Sequence, residues 1–565
     1  AVANPSSPPI IMIDAAGLFN RRVILVVLLA ACFLVYANSL DGEFISDDIP
    51  GIVRNPDLSS PQRFWAEPAG LLNSLNFLIA GHNPFTYHLT NILLHSLNTI
   101  LVFLFLNIFF GLEASFIAAA LFALHPVHTE AVAWISGKPH LIFSAAILSN
   151  ALLYHYAAIR DRFKPLPYLL CLLIFYYMTL RYYNYYLFAL LLILLDLTLD
   201  KARRNWRLWL PFFILAAIKF SIVKEVAVSR VYLFSVGEGI AGPVWNNPVL
   251  TMAHSLFSNF GIILFPFSLT LYHEPVVVYP PILVGEVVLL LLLLGTLALV
   301  FKREKKLFFA IAFFILFISP TFSPFAVTWL VAERYLYLPS LSFVIFMAFI
   351  YDRYGLRNSA LKKKILFFFA LIAVFYALRT FIRNEDWNEP ARFWRQTIKV
   401  SYDSANAHNK MSDIYRQERK FQEALKEINK ALSLKPNDAI AYNNLGVIYS
   451  DMGRQEDAIL AYLKAVEIKP AFAEAYFNLG NSAMALGKRE DAASFYLKAI
   501  DSNPKSQYAY LNLGVAYEGI VLKQEAINAY SRAIDIDSRF ALAHNNLAVL
   551  YYRDRQCELA ARHCD

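Results

Sequence analysis

The sequence predicts an all-α protein in two parts: a polytopic membrane bundle of about eleven transmembrane helices, followed by an α-solenoid of helix pairs. Three observations predict it. Of 565 residues, 58% are hydrophobic and 15% aromatic, more apolar surface than a soluble chain hides. Long apolar runs fill residues 1–382 and stop there. Beyond them, several positions recur every 34 residues. The predicted domains are 1–382 in the membrane, a linker 383–402, and repeats over 403–565.

The membrane part comes first. A spanning helix needs about 20 apolar residues. Candidate runs cover 23–40, 88–110, 112–127, 141–159, 166–181, 184–199, 208–223, 282–301, 307–320, 338–352 and 365–382. The first follows Arg21 and Arg22 without a small-residue cleavage site, so it reads as a membrane helix and not a signal peptide. An odd count puts the two ends on opposite sides. Basic clusters agree: Arg160, Arg162 and Lys164; Lys201, Arg203, Arg204 and Arg207; Lys302, Arg303, Lys305 and Lys306; Lys362, Lys363 and Lys364. With Arg21 and Arg22 they all fall on the cytoplasmic side, leaving the repeats extracytoplasmic, outside a plasma membrane or within the endoplasmic reticulum. The net charge of +8 therefore reflects topology, not nucleic-acid binding. The stretch 249–270, broken by Pro266, reads as lying along or dipping into the outer leaflet.

The soluble part is a repeat array. Pro436, Pro470 and Pro504 share one period with Leu445-Gly446, Leu479-Gly480 and Leu513-Gly514. Ala424, Ala458, Ala492, Ala526 and Ala560 keep the same register. This is the tetratricopeptide (TPR) pattern of two antiparallel helices per repeat, in four to five repeats with the last incomplete. One polar column runs along the first helices: Asn444, Asn478, Asn512 and Asn546. Each amide offers a donor and an acceptor, matching the backbone of an extended peptide; the alternative is a solvated helix face. The column resembles the amide ladder of the O-GlcNAc transferase type of TPR superhelix.

Three outer segments carry candidate chemistry. The first loop holds Asp47 and Asp48, whose side chains diverge, so that one can face a reacting group while the other makes structural contacts. The alternative is a solvated turn. His125, His128 and Glu130 follow the third run. The two histidines could ligate a metal, but no third ligand is fixed by spacing, and hydrogen bonding within the loops accounts for them better. Glu333, Arg334 and Tyr337 precede the tenth run. Arg334 could hold a phosphate bidentately, or snorkel while paired with Glu333. The cysteines form no zinc pattern.

These segments together resemble the TMTC-type transmembrane, TPR-containing O-mannosyltransferases and their bacterial homologues. The matching pieces are Phe44-Ile-Ser-Asp47-Asp48 with Asn55-Pro-Asp57, Asn83-Pro-Phe-Thr-Tyr87-His88-Leu-Thr-Asn91 with His95, and His125-Pro-Val-His-Thr-Glu130-Ala-Val. They continue with Asn247-Pro248, Ala332-Glu-Arg-Tyr-Leu-Tyr-Leu-Pro-Ser340 and Asn384-Glu-Asp-Trp387. Two places depart. Relatives carry Tyr-Arg-Pro-Leu where this chain reads Trp65-Ala66-Glu67-Pro68, and Ser-Lys-Glu where it reads Arg181-Tyr182-Tyr183.

The resemblance implies a GT-C-like membrane fold. It also implies inverting transfer of a sugar, mannose favoured, from a polyprenyl- or dolichyl-phosphate donor to a protein Ser or Thr hydroxyl. Asp47 would accept the hydroxyl proton with Asp48 orienting it, and Arg334, Lys224 and Arg181 would hold the phosphate. His125, His128, Glu130, Glu333 and Tyr337 would position substrates, and the Asn column would bind the acceptor peptide. No cofactor is required, since a monophosphate leaving group carries less charge than a pyrophosphate. The partners are then the lipid-linked donor, a protein acceptor and the bilayer, with no nucleic acid. Competing readings are a GT-C enzyme acting on a lipid, for which a peptide groove is superfluous, and a non-catalytic TPR scaffold. A transporter would want ionisable residues in mid-membrane.

Overall fold

A computed structural model describes residues 15–55, 58, 67–159, 162–237, 248–267, 269–270, 280–322 and 331–563, without side chains at 15–20, 183, 220–237, 248–251 and 280–283. The described residues are mostly helical, with no strand among them. They form two compact units, Ala1–Ser401 and Tyr402–Asp565.

In the first unit each of the eleven apolar runs is a helix or part of one. Among the described residues five helices are long and apolar enough to cross a membrane: Arg21–Ser39, Pro84–Leu106, Ile135–Ala158, Val284–Arg303 and Ser359–Trp387. The pair Leu112–Leu124 and Pro126–Ala133, bent by 50°, has the geometry of a broken span or a re-entrant loop. Pro126 causes the bend, because it cannot donate the next helical hydrogen bond. Four of the other runs are shorter helices, Pro165–Arg181, Asn184–Thr198, Lys305–Ile318 and Leu341–Ile350, and the run 208–223 lies in the 36-residue helix Ala202–Gly237. The stretch beginning at 249 is the helix Pro248–Leu264. The helix Pro68–Ala80, which starts on a proline at its first position, also falls outside the predicted runs.

The segment expected as a linker is ordered and belongs to the first unit. The last span ends in a turn at Glu385–Trp387, and Pro390–Val400 is a further helix. This turn clasps the first loop. Asn384 donates to Val35 O at 2.8 Å, Asn388 to Asn38 O at 3.1 Å, and Glu43 N to Asn388 O at 3.0 Å. The Asn384–Trp387 motif is therefore a strap that fixes the start of the loop carrying Asp47.

The second unit is five helix pairs, from Ala405–Gln417 with Phe421–Leu434 to Ala541–Arg553 with Cys557–Ala561. Gly446, Gly480 and Gly514 recur because each faces a tyrosine sixteen residues on: any Cβ there would overlap the ring of Tyr462, Tyr496 or Tyr530. The turn inside each repeat requires a left-handed residue. Gly453 and Gly487 supply it at φ 79° and 74°, while Arg419, Val521 and Arg555 adopt it without that freedom.

Candidate functional site

The site is built around a pocket of about 600 Å³ lined by the first loop, the helix Pro68–Ala80 and the turn before Lys138. Asp47, Arg54 and Asn55 come from the loop, Glu67, Gly70 and Asn73 from the short helix and its cap, and Ser136, Lys138 and Pro139 from the turn.

The adjacent carboxylates diverge as expected of neighbours. The chain turns at Ser46, φ 56°, which puts Asp47 on the exposed pocket wall and Asp48 inside, 1% exposed. Asp48 accepts from Ile45 N at 3.0 Å, from Ser136 N at 2.9 Å and from the Ser136 hydroxyl. Burial raises its pKa to about 6, against the downward pull of the Ser136 and Ile45 hydrogen bonds. Asp48 thus stitches the loop to the turn, and Asp47 is left facing the open volume.

The turn itself is tightly held. Asn91 donates its amide to Val132 O at 3.2 Å and Trp134 O at 2.9 Å. The Trp134 indole donates to Ile45 O at 3.3 Å and stacks on Trp387 at 6.0 Å. Gly137 has no room for a side chain: a Cβ would lie 2.5 Å from Ala131 O. Lys138 follows at once, buried, its ammonium on Asn73 Oδ1 and 5.4 Å from the Tyr87 ring.

The other predicted site residues lie elsewhere. Glu130 is wholly buried and takes Arg334 twice, through the guanidinium and through Arg334 N at 2.8 Å. Trp134 and Tyr335 flank the same guanidinium at 5.8 and 5.0 Å. Arg334 is thus bound to a carboxylate and is not among the pocket's lining residues. Its partner is Glu130 and not the expected Glu333, which pairs with the buried Arg383 at 3.5 Å. His125, His128 and Tyr337 pack into a closed core with His95. His95 meets Tyr337 Oη at 2.7 Å, His128 meets Ser340 Oγ at 2.7 Å, and His125 meets Ile263 O at 3.1 Å. Among the described residues no three metal-ligating side chains converge. Arg181 ends its helix, exposed, 5.8 Å from the Tyr177 ring. The Lys224 side chain, Trp65 and Ala66, Asp57 and Asn247 lie outside the described residues.

Sequence reasoning missed Lys138, Arg54, Asn73 and the place of Glu67. The available signal was a lysine between Gly137 and Pro139, directly after the histidine-rich motif. In the second unit the Asn column is half-buried and linked along the array. Asn444 donates to Asn409 at 2.8 Å, Asn478 to Asn443 at 3.0 Å and Asn512 to Asn481 at 3.0 Å.

Family models of the TPR repeat match residues 413–453, 448–487 and 524–554, and one of the tetratricopeptide repeat matches 473–506. Protein O-mannosyl-transferase TMTC3 of Mus musculus is 26% identical over 479 residues, 74% of this chain and 52% of that protein. The chain is similar to the TMTC-type proteins along most of its length. Protein O-mannosyl-transferase TMTC1 of Homo sapiens, of the same type, is 38% identical over 148 residues, 21% of this chain and 17% of that protein. The chain spans about half the length of the TMTC3 relatives it matches. Among solved structures, MamA covers 27% of this chain and 90% of its own at 28% identity, with a TM-score of 0.26.

Proposed function

We propose that the chain is a membrane glycosyltransferase of inverting GT-C type. It moves a sugar, mannose favoured by its TMTC-type relatives, from a polyprenyl- or dolichyl-phosphate to a Ser or Thr hydroxyl of a protein. The observation that carries the reading is the division of labour in the acidic pair. Asp47 stands on the wall of a 600 Å³ pocket while Asp48, buried beside it, holds the loop. In the transfer step the hydroxyl oxygen attacks the anomeric carbon and its proton passes to Asp47. The bond from that carbon to the phosphate oxygen breaks, and the lipid phosphate leaves with the electron pair. In-line attack with one base inverts the anomeric centre.

The repeats supply the acceptor. A TPR groove suits an extended peptide, and the amide column supports that use, since Asn444, Asn478 and Asn512 each commit one amide N–H along the array and keep further hydrogen-bonding capacity. The basic clusters support an extracytoplasmic side for both the repeats and the Asp47 loop. A cysteine introduced near residue 451 should then react with an impermeant reagent in intact cells; labelling only after lysis would reverse the topology. The direct test of transfer uses purified full chain, lipid-phosphate mannose and a Ser/Thr-rich peptide. A gain of one hexose on the peptide supports the reading. No gain with any lipid-phosphate sugar would leave the chain a membrane TPR scaffold.

A further inference from the structure

Lys138 has no role in the transfer step as written, yet its surroundings are unusual for a lysine. It is 1% exposed and it lines the pocket. Among the described residues its ammonium has one hydrogen-bond acceptor, Asn73 Oδ1. An ammonium carries three donors and a full charge, and burying it without matching partners is costly. Asp48 is close enough for the two charges to interact. Both Asp48 oxygens, however, are already occupied by Ile45 N and by the backbone and hydroxyl of Ser136. Among the described residues no carboxylate oxygen is hydrogen-bonded to the Lys138 ammonium.

The backbone adds to this. Lys138 opens a 17-residue helix whose capping residue, Gly137, offers no side chain to the first N–H groups. That end carries the positive pole of the helix, with Lys138 N–H given to Ile135 O and no N–H on Pro139. A buried ammonium at the positive pole of a helix, lining a cavity, makes a setting for an oxyanion. The same helix belongs to a candidate span, Ile135–Ala158. Lys138 thus stands at the end of an apolar segment, where the headgroup of a bilayer-anchored molecule would reach it.

We propose that Lys138 and the first turn of its helix form the subsite for the phosphate of a lipid-linked donor. Naming the ligand as a donor rests on the transfer reading above; the phosphate subsite itself does not. Arg334, bound at two points to Glu130, has no part in it.

The test measures binding of polyprenyl monophosphate and of the matching polyprenol to the full chain in detergent. A charge-assisted contact of this kind should favour the phosphate by about 10- to 100-fold. Lys138→Gln should abolish that preference and Lys138→Arg should keep most of it. Equal affinity of the wild type for both lipids, or a preference that survives in Lys138→Gln, overturns the proposal. Should the Gln variant fail to fold, the wild type still decides. Inorganic phosphate at the same concentration should not displace polyprenyl monophosphate from the wild type; equal displacement overturns the lipid assignment in favour of a free anion. Transfer that continues at full rate and donor affinity in Lys138→Gln sinks this inference alone. Lys138-dependent phosphate binding without any sugar transfer supports the subsite and sinks the transferase.

Discussion

Two acid–base groupings of the first unit stand in contrast: one is closed and the other is open. Glu130 and Arg334 are joined at two points, with the carboxylate fully buried and aromatic rings on the guanidinium. Asp47 and Lys138 share a pocket, where Asp47 is exposed and Lys138 has a single described acceptor. The closed pair ties the bent helices to the turn before Leu341, so it acts on shape. The open pair presents charge to a cavity, so it can act on a ligand. Charged residues of equal prominence in a sequence thus divide by whether the fold has already supplied their partner.

The largest expected effects set the two groupings against each other. Glu130→Gln leaves Arg334 buried without its counter-charge, a loss of about 3–5 kcal/mol. The thermal midpoint and the yield of folded protein should fall sharply. Asp47→Asn should leave the midpoint where it is and lower sugar transfer by roughly 10²–10⁴. Donor binding should persist in that variant. A stable Glu130→Gln protein, or an Asp47→Asn protein that unfolds early, would erase the distinction.

Gly137→Ala probes the wall between the groupings. Its Cβ would press on the Ala131 carbonyl at 2.5 Å, a backbone atom that cannot swing aside. Accommodation should cost about 1–3 kcal/mol and displace Lys138 by moving the start of its helix. Phosphate binding should weaken more than the midpoint falls. A midpoint change with unaltered binding would mean that the turn does not aim Lys138.

Much of the architecture was legible because it repeats. The eleven apolar runs each became helix, and the 34-residue register returned as five helix pairs. The crossing number was less legible, since run length along the sequence does not show where a helix bends or shortens; Pro126 breaks one run and several others stay under 18 residues. In the candidate site, Asp47 and Asp48 were readable because neighbours must diverge. Lys138 was not. A lysine at the head of an apolar run looks like an ordinary interface residue, and its burial depends on the helix Pro68–Ala80, which no long apolar run announced. Arg334 misled for the converse reason: its partner, Glu130, lies 204 residues away.

The acid that stitches the pocket gives a pH test. Burial holds the folded pKa of Asp48 at about 6, above the 3.8 of a free aspartate. A raised carboxyl favours the neutral form in the folded state. Its contribution to stability is therefore complete below about pH 3.8 and is lost as pH rises through about 6. Between pH 7 and pH 5 this group should raise the midpoint, a gain of about 1 kcal/mol. Asp48→Asn should remove that slope. It should also lower the midpoint at every pH, because an amide nitrogen would face the N–H of Ile45 or Ser136. A pH slope identical in wild type and variant would place the titration elsewhere.

The smallest effects belong to the Asn column of the repeats, which is partly closed and partly open. Asn444, Asn478 and Asn512 each give one amide N–H to an asparagine of the preceding repeat. What remains on each side chain is a second N–H and the carbonyl lone pairs. A single Asn→Ala change removes one half-buried bond, worth about 0.5–1.5 kcal/mol, and regains part of it because alanine is the better helix former. Each single variant should therefore fold with a midpoint near that of the wild type. Acceptor binding should follow a different rule. If an extended peptide lies along the column, the losses accumulate over four sites, and the fourfold variant should bind it tens- to hundreds-fold more weakly. Donor binding should not change, since Lys138 and Asp47 lie in the other unit. The decisive measurement is peptide affinity of the fourfold variant with circular dichroism as the control on folding. Lowered stability with unchanged peptide affinity would make the column a strut between repeats, closed like Glu130 and Arg334, and would move the acceptor to another face.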